Sequence, residues 1–215
     1  MDLFFSPLAC SMSARVALAE AGATANFIEV DPATKRLLET GEDYRAISPL
    51  GYVPALKLDD GTVLTENSAI LQYIADQYPE AQLAPPAADR LARARLRQWL
   101  SFIGTELHKA LFTPLLGREA PPEAKAWAVG KYASRLAYLD ATLKDREFLL
   151  DRFSVADAYL TPVLNWTRAT PQIDLSAYPN VKAYLERMRK HPSVAAALAL
   201  EGPLFQAEMA RRKAA

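Results

Sequence analysis

Apolar and polar positions alternate in short bursts over the first eighty residues, then settle into long helical stripes. Asp2-Leu3-Phe4-Phe5 reads as a strand stopped by Ser6-Pro7. Over residues 11–21 the apolar positions Val16, Ala17, Leu18 and Ala21 precede Gly22, which predicts a helix with a C-terminal glycine. Residues 26–30, Asn-Phe-Ile-Glu-Val, predict a second strand ended by Asp31-Pro32. Strand, helix, strand in this order implies a parallel pair joined by a crossover. Residues 35–47 are ambiguous, with room for a short helix over 41–45. Residues 54–58 and 62–65 flank Asp59-Asp60-Gly61, and an Asp-Gly step between alternating runs signals a hairpin. Residues 68–78 carry Ile70, Leu71, Ile74 and Ala75 at helical spacing. The sum is β-α-β, a loop, then β-β-α.

The pattern changes after Leu83-Ala84-Pro85-Pro86-Ala87-Ala88, a linker by composition. No convincing strand follows. Residues 89–116 form one long amphipathic stretch with Leu96, Trp99, Leu100, Ile103 and Leu107 on a stripe. Residues 123–143 predict a helix opened by Pro121-Pro122. Ser154-Val155-Ala156-Asp157 precedes an apolar helix through Trp166; the serine caps it, and the aspartate three residues on returns a bond. Two shorter helices, 179–190 and 193–200, are split by His191-Pro192. The basic Arg211-Arg212-Lys213 reads as a solvated end. The expected organisation is an α/β domain over 1–81, a linker over 82–88 and an all-α domain over 89–215.

Composition narrows the class. At 215 residues and 23.7 kDa the chain suits one large domain or two small ones. Its 51% hydrophobic and 23% charged residues exclude disorder for most of its length. No apolar run reaches the roughly 18 residues of a membrane span, and the start lacks the basic region of a secretory signal. A single cysteine, Cys10, rules out an intrachain disulfide and a cysteine-rich zinc site; the expectation is no metal and a reducing, cytoplasmic setting. Zero net charge gives no support to nucleic-acid binding. That zero hides an asymmetry: residues 1–81 hold five Lys and Arg against twelve Asp and Glu, and the remainder reverses it. Facing domains, in one chain or across a dimer, explain this as well as the helix preference of arginine does.

The candidate chemistry centres on Cys10, which falls just past the first strand where the first helix begins. A helix N-terminus carries about half a positive charge, which favours a thiolate. The alternative is a small buried core residue. In Cys10-Ser11-Met12-Ser13 a serine replaces the second thiol of a C-x-x-C pair, so an oxidised Cys10 needs an external thiol. Val53-Pro54 is either a cis bond that turns the Val53 main chain toward Cys10 or a simple strand-opening proline. Thr65-Glu66-Asn67-Ser68-Ala69-Ile70 opens a helix where converging donors suit a carboxylate, with Glu66 placed for an ammonium; ordinary capping is the plainer reading. His108, one of two histidines, either serves a thiol as acceptor or cation, or is a surface or capping residue.

Taken together, Cys10, Val53-Pro54-Ala55-Leu56, Leu64-Thr65-Glu66 with Ala69-Ile70, Thr105-Glu106-Leu107-His108-Lys109 and Phe153-Ser154-Val155-Ala156-Asp157-Ala158-Tyr159 resemble the cytosolic glutathione transferases, in particular the bacterial beta class. The likeness covers essentially the whole chain. It implies a thioredoxin-like N-terminal domain, an all-helical C-terminal domain, a homodimer and a role in detoxification. It further implies that Val53, before Pro54, pairs with the cysteinyl main chain of glutathione. Glu66 and Asn67 hold the γ-glutamyl end, and Lys35 lies near the glycine end. Ser101, Thr105, Glu106 and His108 lie where the class brings its long helix to the cleft, partly from the partner subunit. Cys10, Ser11 and His108 are the implied catalytic set, acting on a small hydrophobic electrophile, with thiol-disulfide or peroxide chemistry through Cys10 as a second activity. Asn67 stands where the wider family often has Ser or Gly, and Ser101 where relatives carry Asn. A non-catalytic glutathione- or protein-binding module is the rival, disfavoured because Cys10, Val53-Pro54 and Glu66 are all present.

Overall fold

In the computed structural model, Leu3, Phe4 and Phe5 are buried along β1 (Asp2–Phe5), which takes the centre of a five-stranded sheet of order β3-β2-β1-β4-β5. The structure describes residues 1–214; Ala215, the last residue of the expected helical domain, lies outside the described residues. The chain divides into two units, one combining Met1–Ala84 with the segment from His191 onward, the other running Pro85–Lys190.

In the first unit β2 (Asn26–Asp31) pairs parallel to β1, with Leu3 opposite Phe27, after the crossover through α1 (Met12–Glu20). β4 (Ala55–Lys57) lies antiparallel on the other side of β1, and β5 (Val63–Thr65) returns beside it through the Asp-Gly turn. Gly61 sits at φ 87°, a conformation that needs no Cβ. α2 (Asn67–Gln77) buries Ile70, Leu71, Ile74 and Ala75. This is the expected thioredoxin-like α/β arrangement with one addition, a two-residue β3 (Arg36–Leu37) antiparallel to β2. The short helix considered over 41–45 is a single turn at Tyr44–Ala46, started by the Asp43 side chain on the Arg45 N–H. Phe4, Val30, Leu37, Tyr44 and Ala55 form a core on this part of the sheet.

The last helix departs furthest from expectation. α8 (Pro192–Ala214) continues past residue 200, through Gly202 and Pro203, and packs on α1. Its inner positions are Val194, Ala197, Glu201 and Glu208, all buried. Two glutamates stand where a hydrophobic stripe would be sought, so periodicity lost the helix. The basic end is tied down: Arg211 Nη2 lies 2.9 Å from Glu29 Oε1 on β2, and Arg212 pairs with Glu208.

The second unit is helical, with no strand among the described residues. α3 (Arg90–Phe102) is capped by the Asp89 side chain on the Ala92 N–H. The expected single helix over 89–116 is interrupted by a π-helical stretch, Ile103–Phe112, before α4 (Thr113–Leu116). Such widened turns often mark functional sites. α5 (Pro122–Leu143), α6 (Val155–Asn165) and α7 (Pro179–Lys190) complete the unit. α6 is buried from Val155 to Leu164 and starts with the expected box: Ser154 Oγ accepts from the Ala156 N–H, and Asp157 Oδ2 accepts from the Ser154 N–H at 3.0 Å. Asp157 also receives the Leu149 N–H and the Tyr184 hydroxyl, both at 2.9 Å. Burial raises its carboxyl pKa, and these donors oppose the shift. Among the described residues, no helix is long and apolar enough to cross a membrane.

Candidate functional site

The loop from β1 to α1 is held from several directions. Ser6 Oγ donates to Val30 O at 2.8 Å, while Ser11 Oγ donates to Ser6 O at 3.1 Å and accepts from the Ser6 N–H at 3.3 Å. Leu8 adopts φ 56°, an unusual conformation for a side-chain-bearing residue, and its N–H donates to Glu201 Oε2 at 2.7 Å. Glu201 Oε1 takes Arg15 Nε at 2.7 Å, and the Arg15 guanidinium lies 3.7 Å over the Phe27 ring. Burial raises the Glu201 carboxyl pKa, and the Arg15 hydrogen bond and charge pull it back.

This loop delivers Cys10 to the turn before α1. Cys10 is buried, at 6% exposure, and its Sγ lies 3.3 Å from Val53 O as a donor to that carbonyl. Val53-Pro54 is cis, which resolves the alternative left open by the sequence. The preceding carbonyl is pinned as well: Tyr52 O accepts from Tyr44 Oη at 2.9 Å and from Ser48 Oγ at 3.1 Å. Burial pushes the Tyr44 phenol up to about 12, so this hydroxyl stays a donor at ordinary pH.

Two further residues flank the Val53 segment. Lys35, at φ 59°, lays its stem against Gly51, where an added Cβ would meet Lys35 Cδ at 3.2 Å. Burial, then the Arg45 charge, lowers the Lys35 pKa. Glu66 stands exposed ahead of α2 at φ 68°, where its carbonyl accepts from the Ala69 and Ile70 N–H groups at 3.0 Å. The first N–H groups of a helix have no intrahelical acceptor, so a carboxylate fits at this end.

Not every candidate side chain faces outward. Ser11 is fully buried with its hydroxyl committed to Ser6. The expectation that it acts directly on a thiol does not fit this placement; it shapes the loop. Asn67 is 6% exposed and turned toward Ser13, whose Oγ lies 3.0 Å from Asn67 Oδ1 and 2.6 Å from Cys10 O. Ser13 has one proton, which serves the nearer carbonyl. A half-turn of the amide then lets Asn67 Nδ2, buried and otherwise unpartnered, donate to Ser13 Oγ. The Asn67 side chain thus braces the Cys10 turn, leaving its main-chain N–H as the donor for a ligand.

The remaining candidates belong to the second unit. Ser101 is exposed near the end of α3, and its carbonyl accepts from Thr105 Oγ1 at 3.0 Å. Glu106 Oε2 is engaged by Arg135 Nη2 of α5 at 2.6 Å. His108 Nδ1 lies 2.8 Å from Tyr159 Oη of α6, and its ring meets the Trp166 ring edge-on at 4.9 Å. Burial, then Lys109, lowers the His108 pKa to about 4, so its ring is neutral at physiological pH. That removes the imidazolium alternative.

Tyr44, Ser48, Tyr159 and Glu201 were not singled out in the sequence. Tyr44 and Ser48 carried no motif; Glu201 was masked as one charge among many on a mixed helix. Tyr159 stood in a quoted motif but without a role.

Residues 9–77 match the family described as "Glutathione S-transferase, N-terminal domain", and residues 105–192 match "Glutathione S-transferase, C-terminal domain". The chain is 42% identical over 203 residues to glutathione S-transferase GstA of Escherichia coli O157:H7, covering 94% of this chain and 99% of that protein. Among solved structures it is similar to a bacterial beta-class glutathione S-transferase of Sphingomonas chungbukensis, at 49% identity and TM-score 0.88, covering 94% of this chain and 99% of that one. A sphingomonad glutathione S-transferase complexed with glutathione is 46% identical with TM-score 0.87, at the same coverages of 94% and 99%.

Proposed function

The chain belongs to the glutathione S-transferase family, and we propose that it joins the sulfur of glutathione to small hydrophobic electrophiles. The observation that carries this reading is the Cys10 sulfur 3.3 Å from the Val53 main-chain oxygen at a cis Val53-Pro54 bond. A half-buried main-chain segment beside a sulfur nucleophile suits an extended thiol peptide. In the proposal Val53 pairs with the cysteinyl unit. The start of α2 takes the γ-glutamyl carboxylate through main-chain N–H groups, and Glu66 takes the ammonium. Lys35 takes the glycine carboxylate. Ser101, Thr105, Glu106 and His108 remain assigned to the site on family likeness, His108 as the group that serves the sulfur. Glutathione releases its thiol proton to water, the thiolate attacks the electrophilic carbon of an aryl halide, a carbon–sulfur bond forms and the halide departs with the electron pair of its bond to carbon. The homodimer and the cytoplasmic setting are part of the same proposal.

Cys10 supports a second activity. Its thiolate attacks oxidised glutathione, one glutathione thiolate leaves, and a mixed disulfide remains on Cys10 until a second thiol displaces it. Incubation with oxidised glutathione followed by intact mass is expected to show one adduct, reversed by reductant; no adduct overturns this second activity. Conjugation of an aryl halide is expected above the uncatalysed rate, and a flat rate across halides, epoxides and activated alkenes overturns the first. Cys10→Ala is expected to retain glutathione binding, lose the adduct and keep part of the conjugation rate.

A further inference from the structure

Tyr159 contributes nothing to the reaction as described, yet its hydroxyl lies 2.8 Å from His108 Nδ1. It projects from the buried helix α6 and is itself 3% exposed. The two rings meet edge-on at 6.0 Å, and Trp166 closes on His108 at 4.9 Å while leaning on Phe112 at 5.7 Å. The π-helical stretch makes room for this contact. Gly104 places no side chain over the hydroxyl, and the His108 carbonyl is held by both the N–H and the Oγ1 of Thr113. The imidazole is therefore fixed at its main chain, on two ring edges and at one nitrogen. Between a neutral phenol and a neutral imidazole, the phenol is the stronger acid and the imidazole nitrogen the better acceptor, so the shared proton belongs to oxygen.

We propose that Tyr159 is a positioning residue that donates to His108 Nδ1, fixing the neutral imidazole as the Nε2–H tautomer and making His108 a hydrogen-bond donor to the sulfur rather than a base. This rests on the reading that His108 serves the thiol chemistry. It replaces the acceptor role, which remained once the cation was removed, with that of a neutral donor. The low pKa of His108 supports it, because a ring that stays neutral through physiological pH has a tautomer to choose.

Multiple-bond nitrogen–proton spectra of protein labelled at histidine nitrogen test this directly, with His191→Gln used to assign the two rings. The wild type is expected to show the Nε2–H form of His108 from pH 6 to 8, and Tyr159→Phe a mixture of both forms. In the same variant kcat is expected to fall about fivefold, the worth of one hydrogen bond, with the KM for glutathione unchanged. A wild-type Nδ1–H tautomer overturns the proposal, as does an unchanged tautomer in a folded Tyr159→Phe. If that variant does not fold, the wild-type spectrum alone decides. The spectra need neither glutathione nor electrophile. An inactive protein with the Nε2–H form overturns the proposed function and supports this tautomer assignment, while an active protein with the Nδ1–H form overturns this assignment alone.

Discussion

Replacing Glu201 by alanine removes one carboxylate that serves two groups at once. Its oxygens lie 2.7 Å from the Leu8 N–H and 2.7 Å from Arg15 Nε. The glutamate side chain is 0% exposed and the arginine 11%, so water does not replace the lost bonds. Arg15 is also stacked over Phe27 and Phe5, which keeps the guanidinium from swinging outward. Breaking a buried pair from one side costs about 3–5 kcal/mol. The Leu8 backbone, held at φ 56°, then loses an acceptor that offsets a left-handed conformation costing about 1–2 kcal/mol. Because the loop can relax, the two losses overlap, and the expected drop is about 4 kcal/mol. Glu201→Gln keeps one oxygen and presents an amide NH2 to the other donor, for a drop of about 1–3 kcal/mol. Urea unfolding with an unchanged slope measures both. Loosening the loop is also expected to speed Cys10 alkylation severalfold under conditions where the protein remains folded. An alanine variant within 1 kcal/mol of wild type refutes the claim that α8 holds the Cys10 loop.

His108 titrates at about 4 in the folded protein against 6.5 unfolded, so it stabilises the fold fully above pH 6.5 and loses that contribution as pH falls toward 4. The loss is at most about 3 kcal/mol, and urea midpoints of wild type and His108→Asn are expected to converge over that window; parallel profiles contradict the burial argument. Gly51→Ala forces an alanine to φ 65° and pushes its Cβ onto the Lys35 stem, costing about 1–2 kcal/mol and raising the KM for glutathione. A melt and KM equal to wild type contradict it. Ser154→Ala removes the cap of α6 and one Asp157 partner and is expected to cost about 1–2 kcal/mol by urea titration; a loss below a few tenths contradicts the cap assignment.

The legible parts of the fold are those where local pattern and tertiary pairing agree. Leu3-Phe4-Phe5, the Asp59-Asp60-Gly61 turn and the Ser154–Asp157 box each announce their element within a few residues. β3 does not, because Arg36 and Leu37 are a strand only through pairing with Asp31 and Val30. The π-helical stretch is invisible for a different reason: Leu96, Trp99 and Leu100 of the stripe belong to α3, and Ile103 and Leu107 keep a spacing of four that an ordinary helix also shows. α8 was cut short because buried ion pairs at Glu201 and Glu208 do the work of apolar side chains. At the site, the strand–helix junction pointed to Cys10, yet no sequence pattern shows that Ser11 and Asn67 turn inward. That depends on which hydroxyls and amides the loop must satisfy internally. Glu201 lies 191 residues from Cys10, so its role is a matter of packing alone.

The most direct check on the account is where glutathione touches the first unit. Backbone amide spectra titrated with reduced glutathione are expected to shift at residues 8–13, at Lys35, at Val53 and at residues 66–68. The same shifts are expected in Cys10→Ala, because the charged ends of the ligand anchor it there. Saturable binding whose shifts avoid the Val53 main chain and the start of α2, or no binding at millimolar glutathione, contradicts the account.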